Sequence, residues 1–381
     1  MIGDQDERQA AAHHCDANMA RTYSIPRGSE QREISQTSQS VHVSHFSSRL
    51  QGSAIANVYK STARKMEAGS WMMNERRTMS NAGSGTRRFI VIGSTGQLGA
   101  DLLTAFGPAA TGLSHADIDV TDSAKTFATI ARLRPDWVLN TASYNRVDDA
   151  EDDPMLAFQV NALGAWHVAR AAAAAGAGVV FFSTDYVFDG TRQTPYGESD
   201  SPAPLNVYGA SKCAGEQLVR QANPRHLIVR TSALFGATKS RKGWTFPQAI
   251  LEQARAGREV RVVHDQIMSP TFSADLAANV KKLIEVESTG VFHVTNAGAC
   301  SWFEFAEEIC GAAGVHANLI PITSEQSGRR ARRPVYSVLD NARLRAAGLA
   351  PMRSWKDALR EYLSLTGRAS DATPTVAGAS G

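Results

Sequence analysis

RFIVIGSTGQLG, residues 88–99, carries the pattern that decides the fold. Its first half is short, apolar and rich in β-branched residues, and it ends in glycine. That reads as a buried strand running into a tight turn. Its second half sets glycines at 93, 96 and 99 at the start of a helical stretch from about Gln97 to Phe106. Glycine suits such a turn because the chain bends sharply and a ligand can approach bare backbone. The helix behind it offers free N–H groups and a partial positive charge to an anion. Strand, glycine turn and helix in this order are the context in which a dinucleotide pyrophosphate is held. The spacing is G-x-x-G-x-x-G rather than G-x-G-x-x-G, so the glycines alone are weak evidence. A plain strand-to-helix turn competes with them.

Downstream, WVLN (137–140), VVFFS (179–183) and LIVR (227–230) are further strand candidates. Between them lie ALGAWHVARAAAAAG (162–176), helical by alanine content, and ASKCAGEQLVRQA (210–222), helical by periodicity. The alternation predicts an α/β fold, a Rossmann-type doubly wound parallel sheet over residues 86–235. From about 236 onward, helices such as TFPQAILEQARAG (245–257) and SWFEFAEEICGAAG (301–314) mix with short strands. Residues 236–366 are expected to form mainly a smaller C-terminal substrate-binding lobe, with some segments returning to the sheet. Residues 1–85 are rich in Ser, Gln, Arg, Asn and Ala and lack a sustained period, which predicts a disordered N-terminal extension. Met66, Met72, Met73 and Met79 offer alternative starts, and a regulatory tail is the functional alternative. Residues 367–381 are expected to form a loose tail.

Composition excludes several classes. The chain has 381 residues, 43% hydrophobic and 20% charged, ordinary for a globular enzyme with a sizeable core. A net charge of +3, with no basic stripe, is too mild to argue for a nucleic-acid partner. No stretch approaches the ~18 apolar residues of a membrane span, and the first thirty residues lack a secretory apolar core. A cytoplasmic protein is expected. Cys15, Cys213, Cys300 and Cys310 form no C-x-x-C pair, so they read as reduced thiols, without a zinc site or disulfide framework.

The chemistry-bearing residues follow the glycine turn. Tyr208 and Lys212 stand in YGASK, and i and i+4 on a helix share a face. A free tyrosine titrates near about 10; a neighbouring ammonium would lower it and let Tyr208 donate a proton to a carbonyl oxygen as hydride arrives. Lys212 could also bond a nicotinamide ribose. A surface Tyr–Lys pair is the bland alternative. Thr184, at the end of the strand in FFSTDYVFDG (181–190), sits where such sheets bind ligands. Its hydroxyl could orient a substrate oxygen, or simply cap a turn; Asp185 could bond sugar hydroxyls or cap. Ser114 falls near the place where an acid would bond the ribose 2′-OH, with His115 beside it, so a 2′-phosphate is permitted. Asp119 and Val120 would border the adenine, with helix capping as the equal alternative.

Together these residues resemble the extended short-chain dehydrogenase/reductase superfamily, and more narrowly the dTDP-4-dehydrorhamnose reductase family. The phrases that carry this are GSTGQLG (93–99), STDYVFDG (183–190), PLNVYGASKCAGE (204–216), DQIMSPTFSADLA (265–277), SWFEFAEEI (301–309) and RPVYSVLDNARL (333–344). The resemblance implies NADPH- or NADH-dependent reduction of the 4-keto group of dTDP-4-dehydro-6-deoxy-L-mannose to dTDP-L-rhamnose, on a nucleotide-sugar substrate. It implies Thr184, Tyr208 and Lys212 as the catalytic trio. Gly93, Gly96, Gln97, Leu98 and Gly99 would line the pyrophosphate, and Ser143, Tyr144 and Asn145 would approach the cofactor. Thr184 and Asp185 would contact the sugar. Ala233, in TSALFG (231–236), stands where the family often carries Trp, which bears on sugar or nucleotide preference. Some relatives bind Mg²⁺ at a dimer contact; Asp101 matches one acidic position, but a solvated helix acid is the alternative and no metal is assigned. A homodimer is an expectation. The basic cluster RRARRP (329–334) reads equally as a diphosphate contact and as a solvated loop. The competing functions are a sugar-nucleotide epimerase, a dehydratase, or a non-catalytic NADP-binding regulatory subunit. A dehydratase often places Glu after the acid that follows its threonine, where this chain has Tyr186. A regulatory subunit has no need of Tyr208, Lys212 and Thr184.

Overall fold

The computed structural model describes residues 86–238 and 245–371, with side chains to 367. The expected extension, 1–85, lies outside the described residues, as does most of the expected tail. All described residues fall in one compact unit.

Six parallel strands form the central sheet. Their spatial order is Ala110–Leu113, Phe89–Ile92, Trp137–Asn140, Gly178–Thr184, His226–Thr231 and Gly290–His293. The inner strands bury both faces, which is why the sequence shows apolar runs there rather than alternation. Val91, Leu139 and Val180 point into one layer with Leu98 and Leu102 of the helix Gln97–Phe106 and Leu276 and Val280 of the helix Ser273–Glu285. Ile90, Ile92, Val138 and Phe181 point into the other, against Val168, Ala169 and Ala172 of the helix Ala165–Ala174 and Val219 of the helix Val207–Ala222. Small alanines let that helix lie close to the sheet.

A second core gathers Phe235, Ile250, Phe272, Phe305, Trp355 and Tyr362 under the helices Phe246–Arg255, Trp302–Ala312 and Trp355–Asp371. The strand Gly290–His293 and the helix Ser273–Glu285, although late in the chain, belong to the main sheet layer.

Three local differences from the sequence reading have physical causes. Ala110–Leu113 was not among the strand candidates, because it is an edge strand with one buried residue, Leu113, and so carries no apolar run. The helix Val207–Ala222 starts ahead of the expected 210, because the Asn206 side chain accepts from the Gly209 N–H at 2.7 Å. The final helix runs to Asp371, past Gly367, where a loose tail was expected.

The strand order reverses between Phe89–Ile92 and Trp137–Asn140. Beyond the carboxyl ends of strands at such a reversal, open α/β sheets have a crevice.

Candidate active site

The crevice starts at the glycine turn. Gly93 has φ 79°, a left-handed backbone that L side chains rarely adopt. Its N–H donates to the Leu113 carbonyl at 2.9 Å, which turns the chain away from the sheet. A Cβ on Gly99 would meet the Gly93 oxygen at 2.3 Å, so the helix start packs against the turn only because position 99 is bare. Gly96 is different: a Cβ there would be tight only against the Gly93 oxygen, at 3.2 Å. Gly96 is the N-cap of the helix Gln97–Phe106, and no side chain caps the first-turn N–H groups. They remain available to an anion, reinforced by the helix dipole.

A cavity of about 870 Å³ opens here. The residues expected to bind cofactor line it: Gly93, Gly96, Gln97, Leu98 and Gly99 from the turn, Asp119 and Val120 after the second strand, Ser143, Tyr144 and Asn145 after the third. Thr184, Asp185, Tyr208 and Lys212 complete the wall, and Ser114 and His115 also reach it. Asp119 accepts from the Thr121 N–H and hydroxyl, whereas capping of the next helix falls to Asp122. Two buried polar atoms on this lining, Gln97 Nε2 and Thr231 Oγ1, have no protein partner. Bare backbone at Gly96, uncapped N–H groups and unpaired polar atoms together fit a dinucleotide.

Thr184 Oγ1 donates to Asp185 Oδ1 at 2.9 Å and accepts from the Tyr186 N–H at 3.1 Å, so it orients and caps at once. Asp185 Oδ2 accepts from Ser232 at 2.8 Å and Ser337 at 2.6 Å. Burial pushes the Asp185 carboxyl up against the pull of these hydroxyls. The Tyr208 hydroxyl faces those of Thr184 and Ser143.

The expectation that Lys212 acidifies Tyr208 is overturned. Burial, followed by the Asp185 charge, pushes the phenol up to about 12. Lys212 is itself pushed down to about 7 by burial, with the Glu216 charge opposing, and its Nζ lies 4.2 Å over the Phe181 ring. Desolvation and the Asp185 charge decide the direction of the phenol's shift, and Lys212 is not among the groups that act on it.

Several site residues were missed. Asn161, wholly buried in the π-helical segment Gln159–Gly164, accepts from Ser143 Oγ and the Tyr144 N–H and donates to the Tyr144 carbonyl and Ser211 Oγ. Ser211 donates to the Tyr208 carbonyl at 2.8 Å, so one amide ties the loop 143–145 to the helix of Tyr208 and Lys212. A π segment often marks a functional position, but it has no sequence signature. Ser232, Gln266, Met268, Trp302 and Ser337 reach the site from distant segments; all five lie in phrases quoted above without a role assigned. A second chamber of about 240 Å³ adjoins Thr184, Asp185 and Tyr208 and is also lined by Gln266, Met268 and Trp302.

Three arginines of the basic cluster pair with protein carboxylates. Arg333 forks onto both oxygens of Asp148 at 2.8 and 3.1 Å, Arg329 joins it, and Arg330 pairs with Asp152. Burial works against ionised Asp148, yet the Arg333 fork holds it at about 2. Asp101 is engaged by Ser273, with burial pushing its carboxyl up. Among the described residues, no three His, Cys, Asp or Glu side chains gather to hold a metal, and no helix is long and apolar enough to cross a membrane.

The family model described as the RmlD substrate binding domain matches residues 87–367. The chain is 39% identical over 298 residues to a dTDP-4-dehydrorhamnose reductase of Streptomyces griseus, covering 75% of this chain and 97% of that protein. It is 37% identical over 287 residues to the spore coat polysaccharide biosynthesis protein SpsK of Bacillus subtilis, covering 74% and 99%. Among solved structures, a dTDP-4-dehydrorhamnose reductase from Bacillus anthracis in complex with NADP superposes with a TM-score of 0.71 at 38% identity, covering 74% of this chain and all of that one. A UDP-glucose 4-epimerase of Thermus thermophilus, at 21% identity and a TM-score of 0.64, shares the fold alone.

Proposed function

This chain belongs to the RmlD substrate binding domain family, and from that premise we propose that it reduces the 4-keto group of dTDP-4-dehydro-6-deoxy-L-mannose to give dTDP-L-rhamnose, using NADPH or NADH. The observation that carries the reading is one continuous wall. The uncapped helix start behind Gly96 and the hydroxyls of Thr184 and Tyr208 line the same 870 Å³ cavity.

The reduced dinucleotide, when bound, supplies hydride to the carbonyl carbon. The chain supplies the proton and the alignment. Tyr208 gives its phenolic proton to the carbonyl oxygen as negative charge develops there. Burial and the Asp185 charge push the phenol up to about 12, so it carries its proton at neutral pH and gives it up only as negative charge grows on the carbonyl oxygen. Thr184, whose hydroxyl donates to Asp185, would turn that one proton to the same carbonyl oxygen when substrate binds and hold it beside Tyr208. Ser143 flanks the phenol from the other side, fixed by Asn161. Lys212 places a titrating amine at the nicotinamide ribose. Gly93, Gly96, Gln97, Leu98 and Gly99 hold the pyrophosphate, Asp119 and Val120 border the adenine, and Tyr144 and Asn145 line the cofactor path.

In this reading residues 86–235 bind the dinucleotide and 236–366 mainly the sugar. A cytoplasmic setting suits the thiols of Cys213, Cys300 and Cys310, which form no disulfide. The test is loss of reduced-nicotinamide absorbance with a panel of keto-sugar nucleotides. Tyr208→Phe should lower turnover by about 10²–10⁴-fold while dinucleotide binding persists. Full turnover in that variant would mean another group donates the proton.

A further inference from the structure

The 240 Å³ chamber has Thr184, Asp185 and Tyr208 on its reacting side. It is smaller than the roughly 300–1,000 Å³ that a whole small ligand occupies, so it takes one ring of a larger molecule. The proton chemistry does not account for its other side, where Ala233, Met268 and Trp302 lie.

Trp302 reaches the chamber through a specific local construction. Cys300–Ser301 pairs antiparallel with Ile267–Met268, which sets Ser301 opposite Ile267. Ser301 Oγ then accepts from the Glu304 N–H at 3.0 Å, and Glu304 Oε2 accepts from the Ser301 N–H at 2.7 Å. This capping box fixes the start of the helix in which Trp302 is the first residue. Phe246 packs against the indole with ring centroids 4.8 Å apart at 61°. Ladder, cap and ring contact thus hold a half-buried indole at a chamber wall. A sugar ring has one face of C–H bonds and a rim of oxygens. The C–H face suits an indole, and the oxygens suit the hydroxyl-rich side around Thr184.

We propose that Trp302 is the platform on which the apolar face of the reacting sugar ring stacks, a specificity-determining residue for the keto-sugar rather than for the dinucleotide. The proposal rests on the reductase reading above. Trp302 also borders the larger cavity, so the test must separate sugar from cofactor.

The experiment compares the full-length wild-type chain with Trp302→Ala and Trp302→Phe. KM and kcat are measured for the 4-keto-6-deoxy sugar nucleotide and for NADPH, and affinities for dTDP-L-rhamnose and dTDP by calorimetry. Trp302→Ala should raise the keto-sugar KM by about tenfold or more and leave the NADPH KM within about twofold. Trp302→Phe should recover most of the loss. The affinity gained by adding the sugar to dTDP should shrink in the alanine variant. An unchanged keto-sugar KM overturns the proposal, as does an NADPH KM that rises in step or an equal loss for dTDP alone. A wild-type chain that oxidises no NADPH with the keto-sugar overturns the reductase reading, and the proposal with it.

Discussion

Glycines 93, 96 and 99 look equivalent in the sequence, yet each does something different. Gly93 takes the positive φ, Gly99 permits the closest backbone approach, and Gly96 sits at the uncapped helix start. Gly99→Ala would set a methyl group 2.3 Å from the Gly93 oxygen, against backbone rather than a movable side chain. The expected result is a lower unfolding midpoint, by the equivalent of about 1–3 kcal/mol, together with weaker dinucleotide binding. Gly311→Ala is the control. It lies inside the helix Trp302–Ala312 with no atom near the added methyl, and should be neutral or stabilising by about 0.4–1 kcal/mol. Thermal melts and dinucleotide titrations of both variants distinguish the two sites.

At the scale of elements, the loop 329–334 is held against the helix Val147–Asp152. Asp148 collects Arg333 and Arg329 and accepts from the Ala331 N–H, and Arg333 also reaches the Tyr186 hydroxyl, whose ring packs edge-on to Tyr208. The clamp depends on a carboxylate. Because the Asp148 pKa is depressed to about 2, its contribution is complete above the ordinary carboxylate range near 3.8 and is lost as pH falls through about 2. Asp148→Asn removes the charge at neutral pH. Native-state tryptic cleavage at Arg329, Arg330 or Arg332 should then accelerate, and an unchanged nicking rate would show that the loop is held by other contacts.

Across the whole molecule, the buried pair Glu216–Arg230 joins the helix of Lys212 to the sheet. Arg230 Nε and Nη2 reach the two Glu216 oxygens at 2.9 and 2.6 Å, and Ser183 adds a hydroxyl. His293, from the last sheet strand, stays neutral. Burial and the Arg230 charge push it down to about 3, and its Nδ1 lies 3.0 Å from the Tyr196 carbonyl. Removing one partner of such a pair leaves an uncompensated buried charge. Glu216→Gln should therefore cost about 3–5 kcal/mol in denaturant unfolding, and replacing both residues with apolar side chains should recover much of that loss.

What the sequence determined by itself was local. The strand Phe89–Ile92, the helix Gln97–Phe106 and the residues Thr184, Tyr208 and Lys212 were legible because apolar runs, glycine spacing and short motifs act within a few neighbouring residues. Only the tertiary structure could decide that Ser232 and Ser337 converge on Asp185, that Asn161 braces Ser143, or that Arg329 and Arg333 meet Asp148 while Arg330 meets Asp152. It also reversed the Tyr208 argument. Proximity along a helix suggests acidification, but burial and the Asp185 carboxylate, just past the end of the strand Gly178–Thr184, push the phenol the other way. Desolvation and long-range pairing depend on what surrounds a group in three dimensions, and a linear pattern carries no record of that.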